Sequence, residues 1–205
     1  MKNFEIKNES GRSMIEMLGV LAIIGVLSVG GIAGYSKAMM KYRINKTIEQ
    51  ITLIAGNIRA FFAPQGNYEG LSSYSDTGKA IIKKAKLVPD EMLTLDSDGK
   101  ITAITNAFGG EFDIDYVNKS AEDDNKAFIF WLRNIPEEAC IELASQDWSI
   151  SNADIISIMN HSENWSKLEV HADMDKIIEA CTDSDFFIIH FDIDKNSTYW
   201  QERTY

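Results

Sequence analysis

Glu16 stands at the head of an uncharged apolar run, and its placement is the strongest chemical signal in the chain. From Met17 to Ser36 there are 20 residues without a formal charge, and the next charge is Lys37. A carboxylate in hydrocarbon costs roughly 2.5–3.5 kcal/mol even on the lenient insertion scale, so an acid at this entrance asks for a functional reason. The two cysteines, Cys140 and Cys181, are the second candidate for chemistry. An even pair in an exported domain reads as a disulfide; two buried free thiols are the alternative. Their number and spacing do not make a zinc site. His161, His171 and His190 are scattered without ligand spacing, and His190, in an alternating apolar stretch, reads as a structural or surface residue. The Gly109–Gly110 pair is isolated and makes no phosphate loop. Asp96, Asp98 and Gly99 resemble the start of a calcium loop, but the full loop pattern is absent and a hairpin turn accounts for them. Trp131, Trp148, Trp165 and Trp200 read as core, with an adhesive surface as the alternative, and Tyr199 and Trp200 lie in a polar tail. No enzymatic constellation, metal site or cofactor site emerges.

The elements that carry these residues begin with one long helix. Twenty helical residues span about 30 Å, the thickness of a bilayer core. Beyond Lys37 the helical spacing continues through Ile44, Ile48, Ile51, Ala55, Ile58 and Phe62. Lys46, Glu49, Gln50, Asn57 and Arg59 lie elsewhere around the wheel. No proline occurs before Pro64, and Pro-Gln-Gly at 64–66 is a stop, which predicts one helix of roughly 45–50 residues. Gly30 and Gly34 form a small-xxx-small pair that lets helices approach closely. The pair Gly30–Gly31 is also where the helix loosens most easily, each Gly costing about 1 kcal/mol against Ala.

Charge is unevenly distributed. Arg12 to Arg59 carries six Lys/Arg against Glu16 and Glu49, whereas from Ala60 onward 12 Lys/Arg face 27 Asp/Glu. The acidic second part argues against nucleic-acid binding through a basic surface. Its spacing of elements predicts an α+β domain. A helix is expected at 77–87, ending by Pro89. A turn at 96–100 should separate short strands, the second at Ile101–Ile104. Alternation of Phe112, Ile114 and Tyr116 with Glu111, Asp113 and Asp115 predicts a half-buried strand. Residues 121–126 read as a charged loop, and 127–135 as the strongest central strand. Pro136 opens a helix with acids in its first turn. Further helices are expected at Ser151–Asn160, capped by Ser151 or Asn152, and at Asp173–Cys181, with a last strand at Phe186–Ile193.

Gly11, followed five residues later by Glu16 and then the apolar run, resembles the type III signal sequence of type IV pilins and of the related type II secretion pseudopilins. The resemblance covers residues 1 to about 62. It implies that a prepilin peptidase cuts between Gly11 and Arg12, that the new amine of Arg12 is a candidate for N-methylation, and that Glu16 sets subunit register by neutralising that amine on a neighbour. Arg12 departs from the apolar residue usual in the family at this position, and the leader is not clearly basic. The contexts of Cys140 and Cys181 resemble the carboxy-terminal disulfide region of type IVb pilins. The implied organisation is a leader at 1–11, the membrane and fibre-core half of the stem at 12–36, its amphipathic half at 37–63, and a head at 64–205 with the disulfide region 140–181. The implied fold is a long helical stem packed against an antiparallel sheet. The implied partners are identical or related pilin subunits, the peptidase, and an inner-membrane assembly platform and ATPase; no nucleic acid is expected. The chain would sit in the bacterial inner membrane before assembly and in a surface pilus or periplasmic pseudopilus afterwards. Lys37, Lys41 and Arg43 would then flank the outer face, against the positive-inside bias. Other readings stay open: a pseudopilin, a membrane-anchored binding module, a plain anchor, or a secretory signal cut near Val29 or Gly31.

Overall fold

An unbroken helix, α1 (Met14–Phe62), occupies the first 49 described residues. The computed structural model describes residues 14–117, 125–148, 153–160 and 165–192. Its internal contacts divide the chain into two units, Met1–Lys41 and Tyr42–Tyr205. In the first unit the described side chains of α1 are exposed up to Ala38. In the second unit the remainder of α1 buries Ile44, Ile51, Ile54, Ala55, Ile58 and Phe62, the stripe that the helical period predicts. Ile48 is only half-buried. Gln50, expected on the polar side, is instead buried together with Thr47. The helix ends as the proline stop requires, the Gly66 N–H closing on the Phe62 carbonyl at 3.1 Å.

The rest of the second unit contains α2 (Asp76–Lys84), a 3-10 turn at Asp90–Met92, β1 (Leu93–Leu95), β2 (Ile101–Ile104), β3 (Phe112–Val117), β4 (Ala127–Arg133), α3 (Glu137–Ala144), β5 (Ala153–Asn160), β6 (Trp165–Glu169), α4 (Met174–Cys181) and β7 (Ser184–Phe191). β1 and β2 pair as a hairpin. The other strands form a five-stranded sheet in the order β3-β4-β7-β5-β6, antiparallel throughout. The last strand therefore lies in the middle of the sheet. The expected central strand, β4, is interior but is flanked by β3 and β7.

The predicted helix over Ser151–Asn160 is corrected. Residues 153–160 form β5, pairing Ile156 with Ile189 and Ile158 with Phe187; positions 151 and 152 lie outside the described residues. Ile156 and Ile158 are buried on one face and Ser157 on the other. A strand covered on both faces shows no polar alternation, and its isoleucines fell by chance at helix-compatible intervals. β6 was not foreseen. Trp165 and Leu168 are three apart, and the strand is defined by its register with β5, Ile156 opposite Leu168.

Aromatic rings join the helix to the sheet. Phe62 lies 5.8 Å from Tyr68, Tyr68 4.8 Å from Phe128, and Phe128 stacks on Phe191 at 4.8 Å. The Arg59 guanidinium sits 5.5 Å over both Phe128 and Phe191. Its Nε donates to Asp192 Oδ2 at 3.1 Å, and the Tyr68 hydroxyl donates to the same oxygen at 2.7 Å. Burial, followed by the neighbouring Asp192 carboxylate, pushes the Tyr68 phenol upward, so it remains a donor at any physiological pH. The opposite sheet face gathers Val117, Ala127, Ile129 and Ile188, with Trp131 and Phe186 half-buried beside them. Elsewhere α2 is capped by Ser75, whose Oγ accepts from the Gly78 N–H at 3.0 Å. A β-carbon on Gly78 would collide with the Ser72 backbone, so glycine is needed there for the helix to lie against that segment.

Asp192→Ala leaves the Arg59 guanidinium and the Tyr68 hydroxyl without their shared acceptor. The expected loss is about 1–3 kcal/mol, read as a fall of about 3–10 °C in the melting temperature of the detergent-solubilised full chain. Combining it with Arg59→Ala should cost less than the two single changes together; strict additivity would show that the ion pair contributes nothing.

Candidate assembly helix and disulfide region

The first unit presents an apolar helix with one acid. Glu16 lies in the first turn of α1, where the partial positive charge of the helix N-terminus favours a carboxylate. Around and beyond it Met17, Leu18, Leu21, Ile24, Leu27 and Ile32 all project outward and are exposed. By length and composition this segment is long and apolar enough to cross a membrane. A continuous apolar surface of this size must be covered by lipid or by other protein chains. Gly30 and Gly34 fall one turn apart on the same face, and an added β-carbon would meet nothing within 4 Å at either, which leaves a shallow track for a neighbouring helix. Gly11 and Arg12 lie outside the described residues.

The second unit carries the cysteines on two short helices. Cys140 in α3 and Cys181 at the end of α4 are both fully buried and are joined, with S–S 2.05 Å and Cα–Cα 5.7 Å across a sequence separation of 41. α3 follows β4 through Pro136 and bears Glu137 and Glu138 in its first turn. α4 ends only three residues before β7 begins. The bridge therefore fastens the segment leaving β4 to the segment entering β7, and those two strands pair directly. Closing a loop of this length is worth about 4 kcal/mol in the chain-entropy account. Trp148 packs at the end of α3, buried, with Nε1 donating to the Leu143 carbonyl at 2.8 Å. Trp131 is half-buried, the Trp165 side chain and Trp200 lie outside what is described, and so does His161.

The site residues that could not be seen in sequence are those paired over long range. His190 is fully buried, its Nε2 3.0 Å from Ser157 Oγ on the adjacent strand. Burial, reinforced by the Lys167 charge, holds its imidazole well below the usual range, so it is neutral. His171 is exposed, 3.4 Å from Asp147. Asp96 accepts from the Asp98 and Lys100 N–H groups at 3.0 and 2.7 Å, the bonding of a hairpin turn. Among the described residues no group of three His, Cys, Asp or Glu is placed to hold a metal ion.

This arrangement, a long N-terminal helix backed by an antiparallel sheet with a disulfide-tied helical pair, is the type IV pilin fold. A type IVb pilin from Salmonella typhi superposes with a TM-score of 0.50 at 12% identity, over 73% of this chain and 99% of that one. TcpA, a type IV pilin from Vibrio cholerae El Tor biotype, does so with a TM-score of 0.51 at 14% identity, over 73% and 98%. The family model described as PilS N terminal matches residues 32–192, and the chain belongs to that family. Among sequences, it is similar to the major structural subunit of bundle-forming pilus from Escherichia coli O127:H6 (strain E2348/69 / EPEC) and from Escherichia coli O111:H-, 29% identical over 141 residues in each case. That stretch is 68% of this chain and spans 65% of the length of those relatives.

Two measurements test the second unit. Cys140→Ser with Cys181→Ser should lower its stability by about 4 kcal/mol, seen as a shifted denaturation midpoint that added reductant moves no further. His190 supplies a pH dependence. Below about pH 6.5 the unfolded chain takes up a proton that the folded chain refuses, so stability falls as pH drops, by up to about 1.4 kcal/mol per unit. Between pH 7 and pH 5 the full chain should lose more stability than the His190→Gln variant; identical slopes would mean His190 protonates in place.

Proposed function

We propose that the chain is a prepilin, the structural subunit of a type IV filament. The observation that carries this reading is the joining, in one chain, of a match to the PilS N-terminal family over residues 32–192 to an exposed, uncharged helical segment headed by Glu16. The apolar part of α1 holds the subunit in the inner membrane before assembly, with the head on the far side. Prepilin peptidase cuts between Gly11 and Arg12, and the amine of Arg12 becomes available for methylation. Identical or related subunits then pack their helices together. Transfer of this surface from lipid to a bundle of like helices gains little from the hydrophobic effect alone, so close packing along Gly30 and Gly34 and polar pairing have to supply specificity.

Glu16 provides the pairing. Buried unpaired in such a bundle, its carboxylate would cost several kcal/mol. Opposite the Arg12 amine of a neighbour it is neutralised, and only one axial offset between subunits achieves that. The acid thus acts through the expense of every wrong register more than through the strength of the right one. The assembly platform and ATPase are the separate partners this reading needs. The similarity to bundle-forming pilus subunits supports a fibre over a short periplasmic pseudopilus, the second destination open to this class of helix.

Intact-mass and N-terminal analysis of the protein from native membranes should find a chain beginning at Arg12, with or without one added methyl group, and a 2-dalton gain on reduction. A Met1 start or a cut near Gly31 would remove the prepilin reading. Glu16→Ala should be processed at close to the normal rate yet fail to enter filaments, reducing sheared surface fibres by about tenfold or more. Normal fibres from that variant would refute the register role.

A further inference from the structure

A cleft of about 290 Å³ opens between α2, β2 and the β3 edge of the large sheet, lined by Tyr74, Lys79, Thr102, Glu111, Asp113 and Arg133 among others. It exists because the hairpin and the five-stranded sheet do not merge. The isolated bridge between Thr105 and Glu111 marks where they come together, and the second bridge, Ser72 to Asp115, runs the preceding loop along β3. Its charges cancel, Lys79 and Arg133 standing against Glu111 and Asp113. That balance is unusual on so acidic a head and gives no pull toward phosphate or sulfate.

The polar groups are held in place by one another. Ser73 Oγ donates to Asp113 Oδ1 at 3.0 Å and accepts from the Ile114 N–H at 3.1 Å. Arg133 Nε lies 3.3 Å from Glu111 Oε2, and its guanidinium rests 4.2 Å from the centre of the Phe186 ring. Burial, followed by the charge of Glu111, sets the Asp113 carboxyl above the usual range, against the hydrogen bond from Ser73, which lowers it. Tyr74 is the remaining component. The Asp113 carboxylate stands near its hydroxyl and, after burial, pushes the phenol upward, yet the residue is 63% exposed. Its ring lines the cleft without being taken into the core.

We propose that this cleft binds one neutral sugar ring. The C–H face of a pyranose carries partial positive charge and packs against the electron-rich face of an aromatic ring, here Tyr74. Sugar hydroxyls both donate and accept, so they can bridge the spare lone pairs of Asp113 and Glu111 and the remaining N–H groups of Arg133 and Lys79 without breaking the existing pairs. A free amino acid would have to separate those pairs to engage its own two charges. The volume lies at the small end of ligand pockets, about 300–1,000 Å³, which suits a single ring and leaves a longer glycan to run out over the surface. The inference concerns the head alone and is independent of the filament reading.

The test is saturation-transfer NMR on the full chain in a detergent without a sugar headgroup. The probes are methyl β-galactopyranoside, methyl α-glucopyranoside, N-acetylneuraminic acid and glycine. At least one of the two neutral glycosides should show transfer concentrated on its ring C–H protons and outcompete the two charged probes. Tyr74→Ala should weaken that binding about tenfold with an unchanged melting temperature, since the side chain it removes is exposed. Tyr74→Phe, which keeps the ring, should stay within about threefold of the unaltered protein. No transfer from either glycoside, preference for glycine or neuraminic acid, or equal binding by Tyr74→Ala would each overturn the assignment.

Discussion

The head depends on β7 reaching the middle of its own sheet. β4 and β5 do not pair with each other; each is completed by β7, the last of the described strands. Until β7 arrives, β3-β4 and β5-β6 are separate two-stranded pieces, marginal by themselves in water. The pairing joins residues far apart in sequence, and contacts of that kind are slow to form and costly in loop entropy. The disulfide acts at this point. By tying α3 to the end of α4 it holds the start of β7 near the exit of β4.

The same strand also determines how the helix is held. Phe191, at its end, stacks with Phe128 beneath Arg59, and Asp192, the next residue, accepts from both Arg59 and Tyr68. One carboxylate thereby links the C-terminal end of α1, the loop that follows it and the last strand. The arrangement is partly buried, so its ion pair is shielded from salt more than a surface pair would be, while its hydroxyl partner adds a second bond that does not depend on charge.

Along α1 two different demands meet in one continuous helix. From Tyr42 onward the chain supplies its own cover, and an apolar stripe with polar flanks suffices. Before Lys37 it supplies none, and the helix is apolar on all sides, with Glu16 as the one acid. A helix of leucine and isoleucine alone would insert and pack in many registers. The register role proposed for Glu16 would narrow that choice.

Much of this was legible in the residues. The bounds of α1 follow from an apolar composition that nothing interrupts and from Pro64; α2 follows from the stop at Pro89, α3 from Pro136 and the acids after it, and α4 was expected over Asp173–Cys181; β3 and the hairpin follow from alternation and Gly99. Glu16 was legible because a charge is conspicuous in an apolar run. The resemblance of residues 1 to about 62 to prepilins also depended on spacing along the chain alone. β5 was not legible, since Ile156 and Ser157 are buried on opposite faces and that erases the polar alternation by which a strand is recognised. Neither was the burial of Gln50, which depends on what lies over that turn of α1. Arg59 and Asp192 are 133 positions apart, and His190 and Ser157 meet only because β5 and β7 are neighbours. Local chemistry determines which segments coil or extend, because backbone preference, capping and period act within a few residues. Which of them lie together is decided by burial and by the pairing of edge groups across the whole chain. Tertiary structure alone therefore placed the last strand at the centre and gathered Tyr74, Asp113 and Arg133 around one cleft.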